Sequence, residues 1–254
     1  MALPATDNFN RDTIGANWGS LSSLGFGAMD PDNTDCHGVN AGDNGMVWSA
    51  DSFNADQYAQ LKYSAGTADD GGPVVRGVDN VGIYSSYSSS GNQYIVKYVS
   101  GSGWAIIGSA ICATGTFANG DTMKLTVSGA SPGTLKLYKN GTQQGTDRTD
   151  SSFSSGAAGM YIYGTTIAWD DFEAGNLAAA GTLDQLAIRA RNDDNDEANA
   201  SWAAAENAML TAPAGTMRFR FQLNNTGDPA AITPQFDWER KPSGGAWGTK
   251  RKIR

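Results

Sequence analysis

Short runs of alternating apolar and polar residues, cut at close intervals by Gly, Asn, Asp and Ser, constrain this chain more than any other feature. Tyr58 to Tyr63 sets Ala59, Leu61 and Tyr63 against Tyr58, Gln60 and Lys62. Met123, Leu125 and Val127 alternate with Lys124 and Thr126, and Leu135 with Leu137 repeats the pattern. A period of two puts one set of side chains on each face of a strand, whereas a helix needs a spacing near 3.6 that no long stretch here shows. Gln93 to Val99, β-branched and aromatic, is followed by Gly101-Ser102-Gly103 and a strand expected from Trp104 to Ile111, so the two form a hairpin. Asn140-Gly141 sits between two more strand-like runs, and both residues tolerate the positive φ of a type I′ turn. With 32 glycines and only 8 prolines, about a dozen short strands with turns every roughly 8–12 residues mean an all-β sandwich or barrel.

The segment Ala157 to Gly175, AAGMYIYGTTIAWDDFEAG, reads as two strands, with Met160, Ile162, Ile167 and Trp169 as the core-facing set. It is expected to form the closing edge of a first domain. Directly after it the composition changes to LAAAGTLDQL, which places a domain boundary near residue 177. Residues 1–177 would be the larger domain and 178–254 a small β-sandwich. In the second, Leu186, Ile188 and Ala190 alternate with polar neighbours, as do Phe219, Phe221 and Leu223, and then Phe236 and Trp238. Trp202 and Trp247 are its expected plugs. A core of that size gains from docking or oligomerisation.

Residues 1–177 carry 8 Lys+Arg against 17 Asp+Glu, a net of −9, and residues 178–254 carry 10 against 9, a net of +1, which together make the −8 of the whole chain. The acidic first domain would repel phosphates, which argues against nucleic acid as a partner. Four basic residues at the end, Lys250, Arg251, Lys252 and Arg254, are a solvated terminus or a docking arm for an acidic neighbour. No apolar run approaches the roughly 20 residues of a membrane-spanning helix, so no membrane is expected as partner. The N-terminus has no basic stretch followed by an apolar one, so no secretion signal is read there. Cys36 and Cys112 leave two readings open, one bridge or two buried thiols.

Several motifs carry a resemblance. They are Asp7-x-Phe9-x-Arg11 with Trp18, the run Ala50 to Gln60 (ADSFNADQYAQ), Gly120 to Leu125 (GDTMKL), Leu137 to Gly141 (LYKNG) and Asp170-Asp171-Phe172-Glu173. Residues 1–175 resemble the concanavalin A-like lectin/glucanase superfamily, in particular the laminin-G-like jelly-roll domains of phage and bacterial surface proteins. Arg189 to Pro229 is similar, more loosely, to small β modules of phage structural proteins. The resemblance implies an antiparallel jelly-roll sandwich. It says little about ligand, because lectins, glycosidases and structural modules share the fold.

Retaining glucanases of this class carry E-x-D-x-x-E, two glutamates at a spacing that sets acid and nucleophile about 5 Å apart. Residues 1–177 contain one glutamate, Glu173. Strict alternation would send Asp170 to one face and Asp171 with Glu173 to the other, so no catalytic residue is assigned. His37, the single histidine, lies in the turn-like DPDNTDCHG, where Cys36 and His37 point apart, and is expected as an exposed loop residue. No glycine-rich nucleotide fingerprint is present. Asp30, Asp32, Asn33 and Asp35 form a dense oxygen cluster suited to a hard cation, and the resemblance makes that cation calcium. Asn192 to Glu197 is a second such cluster. For a glycan the usable groups are aromatic rings on strands, Trp48, Tyr84, Tyr87 and Trp104, with Tyr161 and Tyr163 as further rings.

These readings converge on a non-enzymatic surface protein, of a phage virion by resemblance, acting as a capsid decoration, fibre or tail-associated component. Its partners would be other virion proteins, copies of itself and a cell-surface glycan. The competing readings are a polysaccharide-degrading or carbohydrate-binding module on a bacterial surface or outside the cell.

Overall fold

The computed structural model describes residues 3–65, 70–177, 182–192, 217–226, 237–238 and 251–252. The chain divides into two compact units, Met1–Leu177 and Ala178–Arg254.

In chain order, the strands of the first unit begin with β1 (Ala5–Asp7), β2 (Trp18–Ser20), β3 (Met29–Pro31), β4 (Cys36–Gly38) and β5 (Asp43–Trp48). There follow β6 (Gln57–Ala65), β7 (Gly71–Val78), β8 (Gly82–Ser89), β9 (Asn92–Val99), β10 (Gly103–Ile106) and β11 (Cys112–Ala113). The last are β12 (Thr122–Ser128), β13 (Gly133–Lys139), β14 (Thr142–Asp150), β15 (Ala157–Tyr163) and β16 (Ala168–Asn176). One 3-10 turn, Ser22–Leu24, interrupts them. The first sheet runs β14-β13-β12-β6-β16-β4-β3 with β1 added beside β16, and the second runs β10-β9-β8-β7-β15-β5-β2 with β11 beside β9. Every ladder between these strands is antiparallel. The unit is an antiparallel jelly-roll β-sandwich, the arrangement the resemblance implies.

The main core lies between the sheets. Ala59, Leu61 and Tyr63 of β6, Met123, Leu125 and Val127 of β12 and Trp169 and Phe172 of β16 meet Trp48, Val75, Tyr84, Ile95, Met160 and Ile162 of the second sheet. The alternation read in β6 and β12 holds for these core residues, although the out-facing Thr126 is also buried. Strands β5, β7 and β15 are instead buried on both faces. Their outward residues Val47, Val74 and Tyr161, with Ile83 of β8, form a second cluster under Leu24 of the 3-10 turn and Leu21 and Phe26 that flank it. That cover is pinned by Ser23, whose N–H and hydroxyl donate to Asp79 at 2.9 and 2.7 Å, and by the Tyr98 hydroxyl, which donates to the Leu24 carbonyl at 3.0 Å. Each large aliphatic side chain so removed from water contributes about 1.5–3 kcal/mol before entropy.

Four expectations are corrected. The Ala157 to Gly175 segment is not an edge, since β15 lies between β7 and β5 and β16 between β6 and β4, at the middle of opposite sheets. The strand expected from Trp104 to Ile111 ends at Ile106, and the chain returns to β9 only at Cys112. His37 lies in β4 and is half-buried, although Cys36 beside it is buried as alternation requires. Asp170 and Glu173 do not take opposite faces. The ladder to β6 shifts register between them, Asp171 takes a φ of 46°, and Trp169 and Phe172 both turn inward. An Asp tolerates this left-handed conformation better than most side chains, which is why the bulge falls there. The Asn140-Gly141 turn has φ values of 48° and 78°, as a type I′ hairpin needs.

Two buried polar hubs hold the loops. Asp7 accepts from both Nη atoms of Arg11, from Trp18 Nε1 at 2.7 Å and from the Phe9 N–H at 3.0 Å, so the D-x-F-x-R motif is a structural clasp. Arg76, with 0% exposure, donates to the carbonyls of Ala55, Phe153 and Gly129. In the second unit β17 (Thr182–Asn192) pairs antiparallel with β18 (Met217–Thr226), and β19 (Asp237–Trp238) with β20 (Arg251–Lys252). Trp202, Trp247, Phe236, Lys250, Arg254 and residues 193–197 lie outside the described residues.

Candidate functional site

On the outer side of the second sheet the aromatic layer continues past the cover into an open cleft of about 280 Å³, lined by Asp43, Asp70, Tyr87, Ser88, Trp104, Tyr161 and Tyr163. Five segments contribute. Asp43 opens β5, Asp70 precedes β7, Tyr87 and Ser88 end β8, Trp104 lies in β10, and Tyr161 and Tyr163 end β15. Alternation sends Tyr161 and Tyr163 to the face opposite Met160 and Ile162, where Tyr161 stays under the cover and Tyr163, at the strand end, reaches the outer surface. Tyr163 is 51% exposed.

Trp104 is the centre of the ring cluster. Its ring lies 4.6 Å from Tyr161, 5.2 Å from Tyr98, 5.7 Å from Tyr87 and 5.9 Å from Phe26, in tilted, edge-on and stacked contacts that hold it in place. Asp43 Oδ1 fixes the two rings from the polar side, accepting from the Tyr161 hydroxyl at 2.8 Å and Trp104 Nε1 at 3.2 Å. Asp70 Oδ1 accepts from the Ser88 hydroxyl at 2.7 Å and its N–H at 3.2 Å. Among the described residues the Oδ2 atoms of Asp43 and Asp70 have no hydrogen-bond partner. Burial and the Asp43 carboxylate keep the Tyr161 phenol protonated far above neutrality, and burial also raises Tyr87. The Asp43 loop is held by side-chain hydrogen bonds. Buried Asn44 accepts from the Asn40 N–H and donates to the carbonyls of Asn40, Gly42 and Gly164, tying the β4–β5 loop to the residue after Tyr163. The cleft thus offers fixed aromatic faces beside two acceptor-only carboxylates.

Of the four rings expected to meet a ligand, the structure brings Tyr87 and Trp104 together here. Trp48 and Tyr84 are at 1% and 0% exposure. Trp48 Nε1 donates to Asp51 at 2.9 Å and the Tyr84 hydroxyl to Asp150 at 2.8 Å, so both are core rings with satisfied polar tips. Period two explains the split, because Tyr84 and Tyr87 are three apart on one strand and face opposite ways. Asp43, Asp70 and Ser88 were not singled out by sequence. The shared face of Tyr161 and Tyr163 was the signal pointing towards them.

A wider polar notch of about 640 Å³ lies at Asp7, Asn8, Arg11, Asn17, Asp171 and Glu173, and each of its charged side chains already has a partner within the chain. Asp7 holds Arg11, Lys62 sits 3.0 Å from Asp171 and 3.6 Å from Asp170, and the Tyr58 hydroxyl donates to Glu173 at 2.7 Å. Lys124 lies 3.8 Å above the Tyr58 ring. The three carboxylates of β16 are thereby engaged as structural acceptors.

Of the expected calcium set, Asp32 and Asp35 converge, and the third member of the cluster is His37, with ligand atoms within 4.8 Å of one another. Asp30 stands opposite His37 across β3 and β4, and the Asn33 amide donates to Asp12. Asp32 Oδ1 already accepts from the Thr34 hydroxyl at 2.7 Å and from two backbone N–H groups, and Asp35 accepts from Ser64 at 2.7 Å. Calcium takes roughly six to eight oxygen ligands, and an imidazole in place of an oxygen does not suit it. As the side chains stand, the set does not fit calcium. Cys36 is a buried thiol of the first sheet, its pKa pushed up by burial, while Cys112 lies in β11 of the second.

No family model matches this chain, and no curated protein matches it. Among solved structures it is similar to the carbohydrate-binding module CBM66 from Bacillus subtilis, at 18% identity and a TM-score of 0.49 over 65% of this chain and 98% of that one. It is similar to the galectin LEC-6 of Caenorhabditis elegans at 16% identity and a TM-score of 0.36, covering 52% and 89%. It is similar to the β-porphyranase BpGH16B of Bacteroides plebeius at 10% identity and a TM-score of 0.39, covering 66% and 88%. The jelly-roll sandwich stands on its own strand order and core.

Proposed function

We infer that residues 1–177 form a non-catalytic, lectin-like domain that binds glycan in the Trp104 cleft. The observation that carries this reading is the pairing of a ring layer with two carboxylates in one cleft. Sugar rings stack their C–H faces on aromatic side chains, and their hydroxyls donate to fixed acceptors. Trp104 and Tyr163 supply the faces, and Asp43 and Asp70 the acceptors. The engagement of Asp170, Asp171 and Glu173 with Lys62 and Tyr58 supports adhesion over hydrolysis, since a general acid and a nucleophile must both be available to substrate.

The setting we infer is a phage particle surface, on the strength of the sequence resemblance and the uneven charge. There the domain would serve as a decoration, fibre or tail-associated component in several copies. The 178–254 unit, with Lys250, Arg251, Lys252 and Arg254, would dock to other virion proteins. Mass spectrometry of purified virions tests the setting, and particles without this chain would refute it in favour of a bacterial surface role.

The binding test is a glycan panel, read by calorimetry and by release of reducing sugar, on the full chain and on Tyr163→Ala. Binding that Tyr163→Ala weakens at least tenfold, with no sugar released, is the expected result. Release of sugar at a catalytic rate would overturn the non-enzymatic reading.

A further inference from the structure

We propose that this cleft selects a saccharide bearing a free ammonium, an amino sugar whose nitrogen is not acetylated. The inference rests on the glycan-binding reading of the same site and adds the chemical class of the ligand. Elsewhere in the unit Asp7, Asp121, Asp147 and Asp150 each lie beside an Arg or Lys of the chain, while Asp32, Asp35 and Asp79 accept from neutral groups but stand outside any ring cluster. Asp43 and Asp70 have only neutral donors, the Tyr161 hydroxyl and Trp104 indole for one and Ser88 for the other. Among the described residues lining the cleft there is no Lys or Arg. Two carboxylates therefore share an open site with no cation from the described residues.

Carboxylates accept and never donate when ionised, so the complementary ligand brings N–H or O–H groups. An ammonium satisfies that demand with charge as well, and the rings add to it. Trp and Tyr faces attract a cation within about 6 Å, and a cluster of such rings is a recurrent way to hold an ammonium. Exposed Tyr163 and half-buried Trp104 and Tyr87 line the cleft with the two acids, and buried Tyr161 packs behind Trp104. The same arrangement repels a uronate or a sulfated sugar, whose charge would meet two like charges in a domain already at −9 by its sequence.

The test measures calorimetric affinity of the full chain for chitosan hexamer, chitin hexamer, hexagalacturonate and choline chloride. Chitosan hexamer should bind at least tenfold tighter than chitin hexamer, and hexagalacturonate should not bind. Asp70→Asn keeps the Oδ1 acceptor for Ser88 but removes the charge, and it should cut chitosan affinity about tenfold while leaving chitin affinity nearly unchanged. Tyr163→Ala should weaken both. Equal or tighter binding of chitin, or comparable binding of hexagalacturonate, overturns the ammonium selection and leaves the glycan-binding reading standing. Tight chitosan binding that survives both variants would show attraction to the acidic surface at large and overturn the assignment to this cleft. Choline binding as tightly as the hexamer would remove the saccharide from the proposal. Failure of every saccharide in the wider panel to bind would refute the parent reading with it.

Discussion

Replacing Arg76 by Met tests how this sandwich is held together. Arg76 sits at a left-handed φ of 50° with no exposed surface, and its guanidinium reaches three carbonyls on three separate loops. Nε and Nη2 donate to Ala55 at 3.0 and 2.9 Å, Nη1 to Phe153 at 2.9 Å, and Nη2 also to Gly129. Methionine matches the stem but donates nothing, so three buried or half-buried carbonyls lose their partners at about 1–3 kcal/mol each. Against this runs the relief of burying a cation, and burial does lower the Arg76 pKa. A net loss of about 3 kcal/mol follows, which for a domain of this size lowers Tm by about 6–12 °C. Arg76→Lys should recover only part, because one ammonium cannot fork to three loops. The assay is urea unfolding of both variants followed by tryptophan fluorescence. A loss below about 1 kcal/mol for Arg76→Met would mean that the loops are held by packing alone, and the keystone role would be abandoned.

Three further outcomes are expected. Burial alone would raise the Asp150 carboxyl, but hydrogen bonds from Lys97, Ser152 and Tyr84 outweigh it and bring it to about 2, and Arg11, Trp18 and the Phe9 N–H lower Asp7 in the same way. Folded values below the unfolded ones mean stabilisation that is complete above about pH 4 and lost as pH falls towards 2. Thermal melts across that range should show the loss, with a shallower slope for Asp150→Asn; an unchanged slope would count against it. Gly159→Ala would set a Cβ 2.1 Å from the Met46 carbonyl oxygen in the centre of the second sheet, so it should cost about 3 kcal/mol or more and reduce soluble yield, checked by melting temperature. Calcium or EDTA should leave Tm unchanged, because Asp32 and Asp35 converge on His37 and are spent on turn hydrogen bonds; a calcium-dependent rise would restore the ion to that loop.

The strands were legible because their chemistry is local. Tyr58 to Tyr63 and Met123 to Val127 show a face each, and Asn140-Gly141 shows its turn. Spatial order is not local. β15 and β16 come last in the unit and lie in the middle of opposite sheets, which no run of residues announces. Alternation also stops naming the inside where both faces are covered. Val47 and Trp48, or Ile83 and Tyr84, are buried on opposite faces of the same strand, so Trp48 and Tyr84 looked as available as Trp104 and Tyr87. The bulge at Asp171 broke the parity that placed the β16 acids. Asp43 and Asp70 come from segments far apart in sequence and have no motif of their own. They become a site only when β5, β7, β8, β10 and β15 assemble.

On the proposed reading, ligand contact happens at Trp104 on the outer layer, and not in the core or the polar notch. Indole N–H resonances report this directly, because Trp18, Trp48 and Trp169 are at 6%, 1% and 0% exposure while Trp104 lines the cleft. Titration of a binding saccharide, followed by nitrogen-15 correlation spectra with assignments from single Trp→Phe variants, should move the Trp104 resonance and leave those three in place. Movement of Trp18 or Trp48 with Trp104 unmoved would put the ligand at the notch and contradict the account.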